Sequence, residues 1–344
     1  MLQGFLKFFP LFHYNTKKRL LQYGKILNFA PKYAKIGAKG DFLMKNVLTQ
    51  IVNIVLIVAI CLLAIAPLES PVTQKGVRWM ERLEDERAIN ELSIPGTHDS
   101  GATHSIADVA GKCQSLSIED QLYIGVRFLD IRLQLVGDEL MVVHSFVDQR
   151  TEFEDVLEEI VDFLEENPTE FLFISIKEDA DPKRPEGDFT TILEGELREY
   201  ERISESAALP KTVGEARGKI YVISRYAGAT MGIPAYSGWA DSTSFRLGEL
   251  YVQDNYRVDS ADEKIADIEA TMAVADRCEN GLVLNFTSCY LTSGFPPSYA
   301  ATPAKTVNPW LIDRLLVEAR PQGVLVCDFI TSEMSKAIWE VNFR

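Results

Sequence analysis

The stretch Leu92-Ser93-Ile94-Pro95-Gly96-Thr97-His98-Asp99-Ser100-Gly101 decides how this sequence is interpreted. It begins with a short apolar run, which stops at a Pro-Gly pair of the kind that interrupts regular structure. A histidine and an aspartate follow directly. This order is typical of a strand that presents titratable side chains at its end. We therefore predict a strand over residues 91–95 and a candidate site at His98 and Asp99.

Seven further apolar runs predict strands, and amphipathic stretches separate most of them, as in repeated βα units. The eight strand candidates are residues 91–95, 126–133, 139–144, 170–177, 219–225, 249–254, 281–286 and 323–328. Residues 136–138, which join the second candidate to the third, are too few for a helix. The predicted fold is thus an irregular (β/α)8 TIM-type barrel of the α/β class, with one connection replaced by a turn.

Polar side chains occur at or just after the carboxyl ends of seven of these strand candidates. They are His98, Arg132, His144, Lys177, Arg225, Asp254 and Asp328. One charged residue at a strand end is unremarkable, because strands end where polarity begins. Barrel enzymes, however, build their active sites on this face, and two of the four histidines are in the set. We therefore predict an active site there.

Three sequence patterns predict helix starts. Thr151-Glu-Phe-Glu154 and Ser260-Ala-Asp-Glu263 fit the capping box, in which a hydroxyl and a glutamate satisfy the first backbone N–H groups. Asn308-Pro309 places a capping residue before a proline at the first helical position.

The charge of the chain is divided unevenly. Its 344 residues carry a net charge of −15, yet residues 1–45 contain nine lysines and arginines against one acid, a net of +8. The remaining residues therefore carry −23. So acidic a body argues against nucleic-acid binding, which normally requires a basic patch.

The N-terminal region divides into two segments that precede the predicted barrel. Residues 1–43 form a basic leader. Residues 46–68 form an uncharged segment that is long enough to span a bilayer. Residues 44–68 are either a transmembrane signal-anchor or a cleaved signal peptide starting at Met44, and the true start is Met1 or Met44. In both cases residues 69–344 are expected outside the cytoplasm, either secreted or anchored to a membrane.

Five cysteines are present, at positions 61, 113, 278, 289 and 327. They form no CxxC pair or dense disulfide framework. Cys278 and Cys289 are the one candidate disulfide, and Cys327 lies in an apolar run that predicts a core position.

Two histidines with an arginine suit metal-free phosphodiester chemistry. Arginine can neutralise the phosphoryl oxygens in fork geometry, and two imidazoles can act as base and acid. No carboxylate cluster with metal-like spacing surrounds His98 or His144, so no metal or cofactor is expected. Without a metal to generate hydroxide, the efficient nucleophile is a hydroxyl next to the phosphate on the substrate itself. The expected product is therefore a cyclic phosphodiester.

Over roughly residues 80–340 the sequence resembles the bacterial-type phosphatidylinositol-specific phospholipase C family, the PI-PLC X-domain family. The stretches that carry the resemblance are LSIPGTHDSG at 92–101, RFLDIR at 127–132, VHS at 143–145, FISIKED at 173–179, GKIYVISRYAG at 218–228, VQDNYRV at 252–258, LNFTS at 284–288 and VCDF at 326–329. None decides the matter singly, but their combination in this order is specific.

The resemblance implies roles for the reacting groups. His98 matches the general base that removes the proton of the inositol 2-hydroxyl, and Asp328 matches the carboxylate that holds this base. Arg132 matches the phosphate-binding arginine, with Asp130 supporting it. The calcium-dependent relatives have an acidic ligand at the position of Arg132, which again predicts no metal.

On the leaving-group side, His144 matches the general acid that protonates the departing diacylglycerol, and Asp99 matches the carboxylate that assists it. Lys177, Arg225, Asp254 and Tyr256 match contacts to the inositol ring, the tyrosine by stacking. A further family contact is a glutamate that aligns with Asp179, and the adjacent Glu178 is the alternative.

The resemblance also implies a membrane partner, with phosphatidylinositol or its glycosylated anchors as substrate and a monomeric enzyme. Trp239, Phe295 and Tyr299 are candidates for membrane contact at the rim of the barrel. Two alternatives are a metal-dependent glycerophosphodiester phosphodiesterase and a catalytically silent barrel that binds lipid headgroups. The first predicts an acidic cluster, and the second predicts loss of His98, His144 or Arg132, all of which are present.

Overall fold

The computed structural model describes residues 78–104, 111–145, 147–293 and 298–344. All of them belong to one compact unit, Glu69–Arg344. The predicted leader at 1–43, the hydrophobic segment at 44–68 and Phe295 lie outside the described residues. Within the described part of the chain, no helix is both long and apolar enough to cross a membrane.

Strands and helices alternate along the barrel unit. The strands are β1 Ser93–Thr97, β2 Phe128–Val136, β3 Glu139–His144, β4 Val147–Glu152, β5 Leu172–Glu178, β6 Ile203–Ser204, β7 Ile220–Arg225, β8 Ile233–Pro234, β9 Ser244–Leu247, β10 Leu250–Gln253, β11 Arg257–Val258, β12 Leu282–Phe286, β13 Tyr290–Leu291 and β14 Gly323–Cys327. The α-helices are α1 Ile118–Tyr123, α2 Phe153–Glu166, α3 Phe189–Leu197, α4 Val213–Ala216, α5 Ala261–Ala275, α6 Ala301–Leu316 and α7 Ser332–Glu340. Short 3₁₀ segments lie at Trp79–Arg82, Ile89–Glu91 and Val341–Phe343.

Seven parallel strands form the curled wall of the barrel. Their order is β7-β5-β2-β1-β14-β12-β10, with β6 beside β7 at one edge and β9 antiparallel to β10 at the other. All eight predicted strands are present, and the turn predicted at residues 136–138 joins β2 to β3. The third predicted strand, β3, nevertheless has no place in the wall. It pairs antiparallel with the far end of β2, from Leu133 to Val136, and then with β4. A three-residue turn cannot return the chain in the parallel direction.

β1 runs through the Pro-Gly pair that was expected to end it. The carbonyl of Pro95 points toward β2 and accepts from the backbone N–H of Arg127. A backbone N–H at position 95 would point toward β2 as well, but β2 begins only at Phe128 and offers no partner at that level. No ladder hydrogen bond is lost there. Gly96 faces the crowded interior, where an added Cβ would lie 3.1 Å from side-chain atoms of Phe128 and Val324. Both residues therefore suit a buried central strand.

The two faces of the wall bury separate apolar clusters. Leu129 and Ile131 of β2 point outward and belong to the same apolar cluster as buried side chains of helices α2 and α6. The other face fills the barrel interior, with an aromatic group that includes Phe128, Phe173 and Phe286. Because side chains alternate along a strand, Asp130 and Arg132 share the inward face with Phe128. The same alternation that builds the core therefore points the candidate site residues into the barrel mouth.

Of the three predicted helix starts, the structure confirms one. Ser260 caps α5 by accepting from the N–H of Glu263. Thr151 caps nothing, because α2 begins at Phe153 after Glu152 and the Thr151 hydroxyl donates to the Gln149 carbonyl. Pro309 lies inside α6, which continues through it because residues on both sides, including Val307 and Leu311, are buried against the wall.

The predicted Cys278–Cys289 disulfide is wrong, because both residues are free thiols. Cys278 follows the C-terminal end of α5, whereas Cys289 follows the C-terminal end of β12, so strand β12 separates them along the barrel axis. Cys327 is fully buried, as predicted.

Candidate active site

Strand register assembles the polar side chains at the carboxyl ends of the wall. Arg132 of β2 lies opposite Lys177 of β5, which lies opposite Arg225 of β7, so three cations form one row across adjacent strands. His98 and Asp328 directly follow β1 and β14, which pair as far as Thr97 and Cys327. These residues come from five different strands, as the sequence predicted.

His98 lies at the centre of the mouth. Its Nδ1 is 2.8 Å from Asp328 Oδ1, and its Nε2 is 2.9 Å from Arg132 Nη2 and 3.2 Å from Asp99 Oδ2. Nδ1–H donates to Asp328. Unprotonated Nε2 can accept from Arg132, and protonated Nε2 can donate to Asp99, so this nitrogen has a partner in both states. Burial lowers the pKa of His98, but the charges of Asp99 and Asp328 outweigh it and raise this pKa to about 9.

Asp99 links the two histidines. It is buried, its backbone has a φ of 42°, and its N–H donates to Asp130 Oδ2. This left-handed conformation is uncommon outside glycine, although aspartate tolerates it better than most residues. Asp99 Oδ2 lies 3.2 Å from His98 Nε2 and 3.5 Å from His144 Nε2, while Oδ1 lies 2.7 Å from Arg132 Nε. One carboxylate therefore reaches both imidazoles and the central arginine.

Arg132 is surrounded by carboxylates. Besides Asp99, its guanidinium lies 3.3 Å from Asp130 Oδ2 and 3.6 Å from Asp179 Oδ1. Asp130 is fully buried and also accepts from Arg225 Nη1 at 3.2 Å and from the Ser175 hydroxyl. Burial alone would raise the pKa of Asp130, but Arg132 and Arg225 hold it well below its ordinary value. Asp130 therefore stays ionised and forms ion pairs with both arginines.

Asp179, not Glu178, lies in the site. Asp179 Oδ1 accepts from Lys177 Nζ at 2.5 Å, and Oδ2 accepts from the backbone N–H of Ser145 beside His144. Burial raises the pKa of Asp179, but Arg132 and Lys177 outweigh it and lower this pKa. Glu178 points to the other face of β5, where burial and the charges of Asp188 and Asp181 raise its pKa.

Trp239 is a wall of the site and not the membrane-contacting rim residue that was expected. Its ring stacks under the guanidinium of Arg225 at 3.6 Å and meets Phe286 edge to face. Its Nε1–H donates to Asp254 Oδ2 at 3.1 Å. Trp239 therefore orients both Arg225 and Asp254, which is why the ring is turned inward. Tyr299, the other described rim candidate, is 46% exposed and precedes α6.

Tyr256 lies at the outer edge of this group. Its hydroxyl donates to Asp241, Arg257 lies over its ring, and the Tyr290 ring is 6.0 Å away. Burial and the Asp241 carboxylate raise the pKa of Tyr256 to about 12, so its hydroxyl stays protonated.

Sequence reasoning missed two residues that the structure adds to the site. Cys113 is buried with its Sγ 3.9 Å from Asp99 Oδ2 and 4.0 Å from His144 Nδ1. Asp241 anchors Tyr256 from a loop fifteen residues away. Neither follows a wall strand, so no strand-end pattern in the sequence could have identified them.

Comparison with known proteins identifies the family. The family model for the phosphatidylinositol-specific phospholipase C X domain matches residues 92–226. A 1-phosphatidylinositol phosphodiesterase of Listeria monocytogenes is 27% identical, covering 80% of this chain and 87% of its own. A Staphylococcus aureus protein of the same name is 28% identical, covering 83% and 93%.

Residues 92–226 thus carry the X domain of the phosphatidylinositol-specific phospholipase C family.

Solved structures agree with this assignment. A double mutant of the Staphylococcus aureus phosphatidylinositol-specific phospholipase C has a TM-score of 0.69 at 25% identity, over 77% of this chain and 98% of that one. The Listeria monocytogenes enzyme has a TM-score of 0.62 at 24% identity. The fold is therefore the TIM-type barrel of these enzymes. Asp254, Tyr256 and Asp328 lie beyond the residues that the family model matches, and the barrel brings them to the same mouth.

Proposed function

We propose that this protein is a metal-independent phosphatidylinositol-specific phospholipase C that cleaves phosphatidylinositol, or its glycosylated anchors, to diacylglycerol and inositol 1,2-cyclic phosphate. The observation that carries the proposal is the position of Arg132, which lies between His98 and Asp99 with His144 on the far side of the same aspartate. A cation, a base and an acid are thereby grouped around one point at the barrel mouth.

The first proton transfer is assigned to His98. Its Nε2 accepts the proton of the inositol 2-hydroxyl, while Asp328 holds Nδ1–H and stabilises the imidazolium that forms. The hydroxyl oxygen then attacks the neighbouring phosphorus. Because nucleophile and phosphate belong to one substrate molecule, no second reactant has to be positioned.

Arg132 supplies the charge that the phosphoryl group needs. Its guanidinium is fixed by Asp99, Asp130 and Asp179 and donates in a planar fork that suits two phosphate oxygens. A preorganised cation stabilises the pentacoordinate transition state without reorganisation at the moment of reaction.

The leaving group is assigned to His144 and Asp99. As the bond between phosphorus and the glycerol oxygen breaks, protonated His144 donates its proton to this oxygen and diacylglycerol leaves. Asp99 Oδ2 lies 3.5 Å from His144 Nε2 and is the carboxylate assigned to orient this imidazole. The proton gained by His98 and the proton lost by His144 balance over the step.

The inositol ring is assigned to the side of the mouth that carries Lys177, Asp179, Arg225 and Asp254. Alternating donors and acceptors of this kind suit a ring whose every carbon bears a hydroxyl or phosphate oxygen. Tyr256, with its ring free of the core, is placed to stack on one face. We expect these contacts to favour inositol over glycerol headgroups.

The metal-dependent phosphodiesterase is the second candidate, and Arg132 argues against it. Three carboxylates converge here, as they would on a divalent cation, but the guanidinium lies among them and makes ion pairs with each. A silent, binding-only barrel is also less well supported, because the full set of His98, His144 and Arg132 is assembled.

Chelation distinguishes these candidates. The full chain is incubated with phosphatidylinositol vesicles and excess EDTA, and the water-soluble product is identified by ³¹P NMR. We expect cyclic inositol phosphate at an undiminished rate, because Arg132 replaces the metal. Activity that EDTA abolishes and a divalent ion restores would contradict the role proposed for Arg132. Cleavage of deacylated glycerophosphoinositol, with none of phosphatidylinositol vesicles, would favour the second candidate.

The raised pKa of His98 predicts the pH dependence. A base must be deprotonated to act, so kcat/KM should rise with pH through the pKa of the free His98, with a midpoint well above the ordinary 6.5 and near 9. Asp328→Asn removes one of the two charges that raise this pKa. The midpoint should therefore move to lower pH, and the maximum should fall by about 10²- to 10⁴-fold as the imidazole loses its orientation.

Asp254→Asn is the matched control for this profile, because Asp254 bonds to Trp239 and not to His98. It should raise KM and leave the midpoint in place. An unchanged midpoint in Asp328→Asn, or an equal shift in Asp254→Asn, would contradict the assignment of His98 as the base.

We also propose that residues 69–344 form a monomeric catalytic unit that acts at a membrane surface outside the cytoplasm, preceded by a leader and a signal-anchor or signal peptide. Supporting this, the substrate is a membrane lipid and residues 46–68 carry no charge. Fractionation of the producing cells tests it, since cytoplasmic activity alone would contradict it.

A further inference from the structure

Cys113 is a thiol in the active site that the proposed mechanism does not use. Its side chain is buried beside the leaving-group pair, and its Sγ approaches both Asp99 Oδ2 and His144 Nδ1. The ligand atoms of His98, Asp99 and Cys113 all lie within 4.8 Å of one another. Nitrogen, oxygen and sulfur donors therefore converge on one point.

The spacing suits a tetrahedral ion. Zinc bonds of about 2.0 Å to nitrogen or oxygen and about 2.3 Å to sulfur require ligand atoms about 3.3–3.8 Å apart. From Asp99 Oδ2 the distances are 3.2 Å to His98 Nε2, 3.5 Å to His144 Nε2 and 3.9 Å to Cys113 Sγ. The ligand atoms of His98, Asp99 and Cys113 lie within 4.8 Å of one another, so they must move closer together to bind the ion, and His144 or water supplies the fourth ligand.

The surroundings of His98 match those of a metal-bound histidine. Asp328 accepts the hydrogen on Nδ1 at 2.8 Å, which leaves the lone pair of Nε2 directed at the convergence point. Metal-ligating histidines almost always donate their second ring N–H to a carboxylate or carbonyl in this way. The arrangement that prepares His98 as a base thus also prepares it as a ligand.

The local charge favours a cation. The mouth contains five carboxylates, from Asp99, Asp130, Asp179, Asp254 and Asp328, against three cations, from Arg132, Lys177 and Arg225. Before either imidazole is counted, and with the thiol protonated, these groups carry an excess of two negative charges. When an ion binds, the contact between Arg132 Nη2 and His98 Nε2 must break. The ion pairs of Arg132 with Asp130 and Asp179 remain and still hold the guanidinium.

We infer that His98, Asp99 and Cys113 form a binding site for a thiophilic divalent ion of the zinc type, and that this ion inhibits the enzyme. As the metal–sulfur bond forms, Cys113 loses its proton to solvent. The ion binds the lone pair of His98 Nε2 and one oxygen of Asp99. His98 can then no longer accept a proton, and Asp99 can no longer assist His144. The inhibitory consequence rests on the proposed function, but binding does not.

Cobalt(II) is the spectroscopic probe. Titration of the full chain should produce a thiolate-to-cobalt charge-transfer band and the visible bands of tetrahedral cobalt, both removed by EDTA. Cys113→Ala should lose the charge-transfer band and bind at least about 100-fold more weakly, since even outer partners of a ligand contribute 10- to 100-fold. Cys113→Ser is a second variant, with a buried hydroxyl in place of the thiol.

Cys278→Ser is the matched control, because Cys278 is the more exposed thiol and follows α5 away from the mouth. It should keep the band in full. A band that persists in both Cys113 variants, or disappears in Cys278→Ser, overturns the site. Zinc should also inhibit lipid cleavage by the parent chain and not by Cys113→Ala, and equal inhibition of both overturns the regulatory role. The spectrum does not depend on lipid cleavage, so failure of the proposed function leaves the metal site separately testable.

Discussion

Replacing His98 with alanine is expected to lower kcat/KM for phosphatidylinositol by about 10²- to 10⁴-fold, the range that a positioned general base contributes. The His98 imidazole contacts Arg132 through Nε2 and is oriented by Asp328 through Nδ1. Among the described residues, no neighbouring side chain is positioned in this way to accept the proton of the inositol 2-hydroxyl. The rise of activity with pH should disappear with it. The measurement is the initial rate of cyclic inositol phosphate release between pH 5 and 10, with vesicle concentration varied.

His104→Ala is the control for this variant. His104 is exposed six residues further along the chain, and its imidazole contacts the neighbouring Thr103 hydroxyl. Its replacement should leave both rate and pH profile unchanged. If His98→Ala retains more than a tenth of the parent activity, the base must be another group and the proposed mechanism is wrong.

Replacing Arg132 with methionine is expected to lower kcat by about 10³-fold or more, because loss of a preorganised charge at a transferring phosphoryl group has effects of this size. The variant also leaves Asp99, Asp130 and Asp179 without their common partner, which should reduce thermal stability. Arg132→Lys restores the charge without the planar fork and should recover activity only in part.

Both rate and melting temperature are therefore measured for the two Arg132 variants. Arg246→Met is the control, since Arg246 is exposed on β9 and its Nε donates to the carbonyl of Gly248. It should change neither quantity. Full activity in Arg132→Met at a lowered melting temperature would show that Arg132 has only a structural role. Recovery of activity by added calcium or magnesium would indicate that the carboxylates can bind a metal that assists the reaction.

The wall of the barrel could be predicted because buried strands are recorded in local composition. Every predicted strand exists, and Lys177, Arg225 and Asp254 were placed at their ends from apolar periodicity alone. The place of β3 could not be predicted in this way. An apolar run has the same appearance in a wall strand and in a hairpin, and only its pairing with β2 shows which it is. The continuation of α6 through Pro309 likewise depends on burial against the wall, which local propensity does not contain.

The sequence by itself determined the family resemblance and the candidate site residues, because the residue types at the strand ends and their order along the chain match one family. The tertiary structure alone decided how those groups meet. Asp99 joins His98 to His144 because a left-handed backbone turns its carboxylate between strands, and Trp239 contacts Arg225 from the loop between β8 and β9. Cys113 joins the same site from a segment between β1 and α1. Such contacts join positions that are distant in the chain, so their distances and directions depend on the packing of the whole barrel.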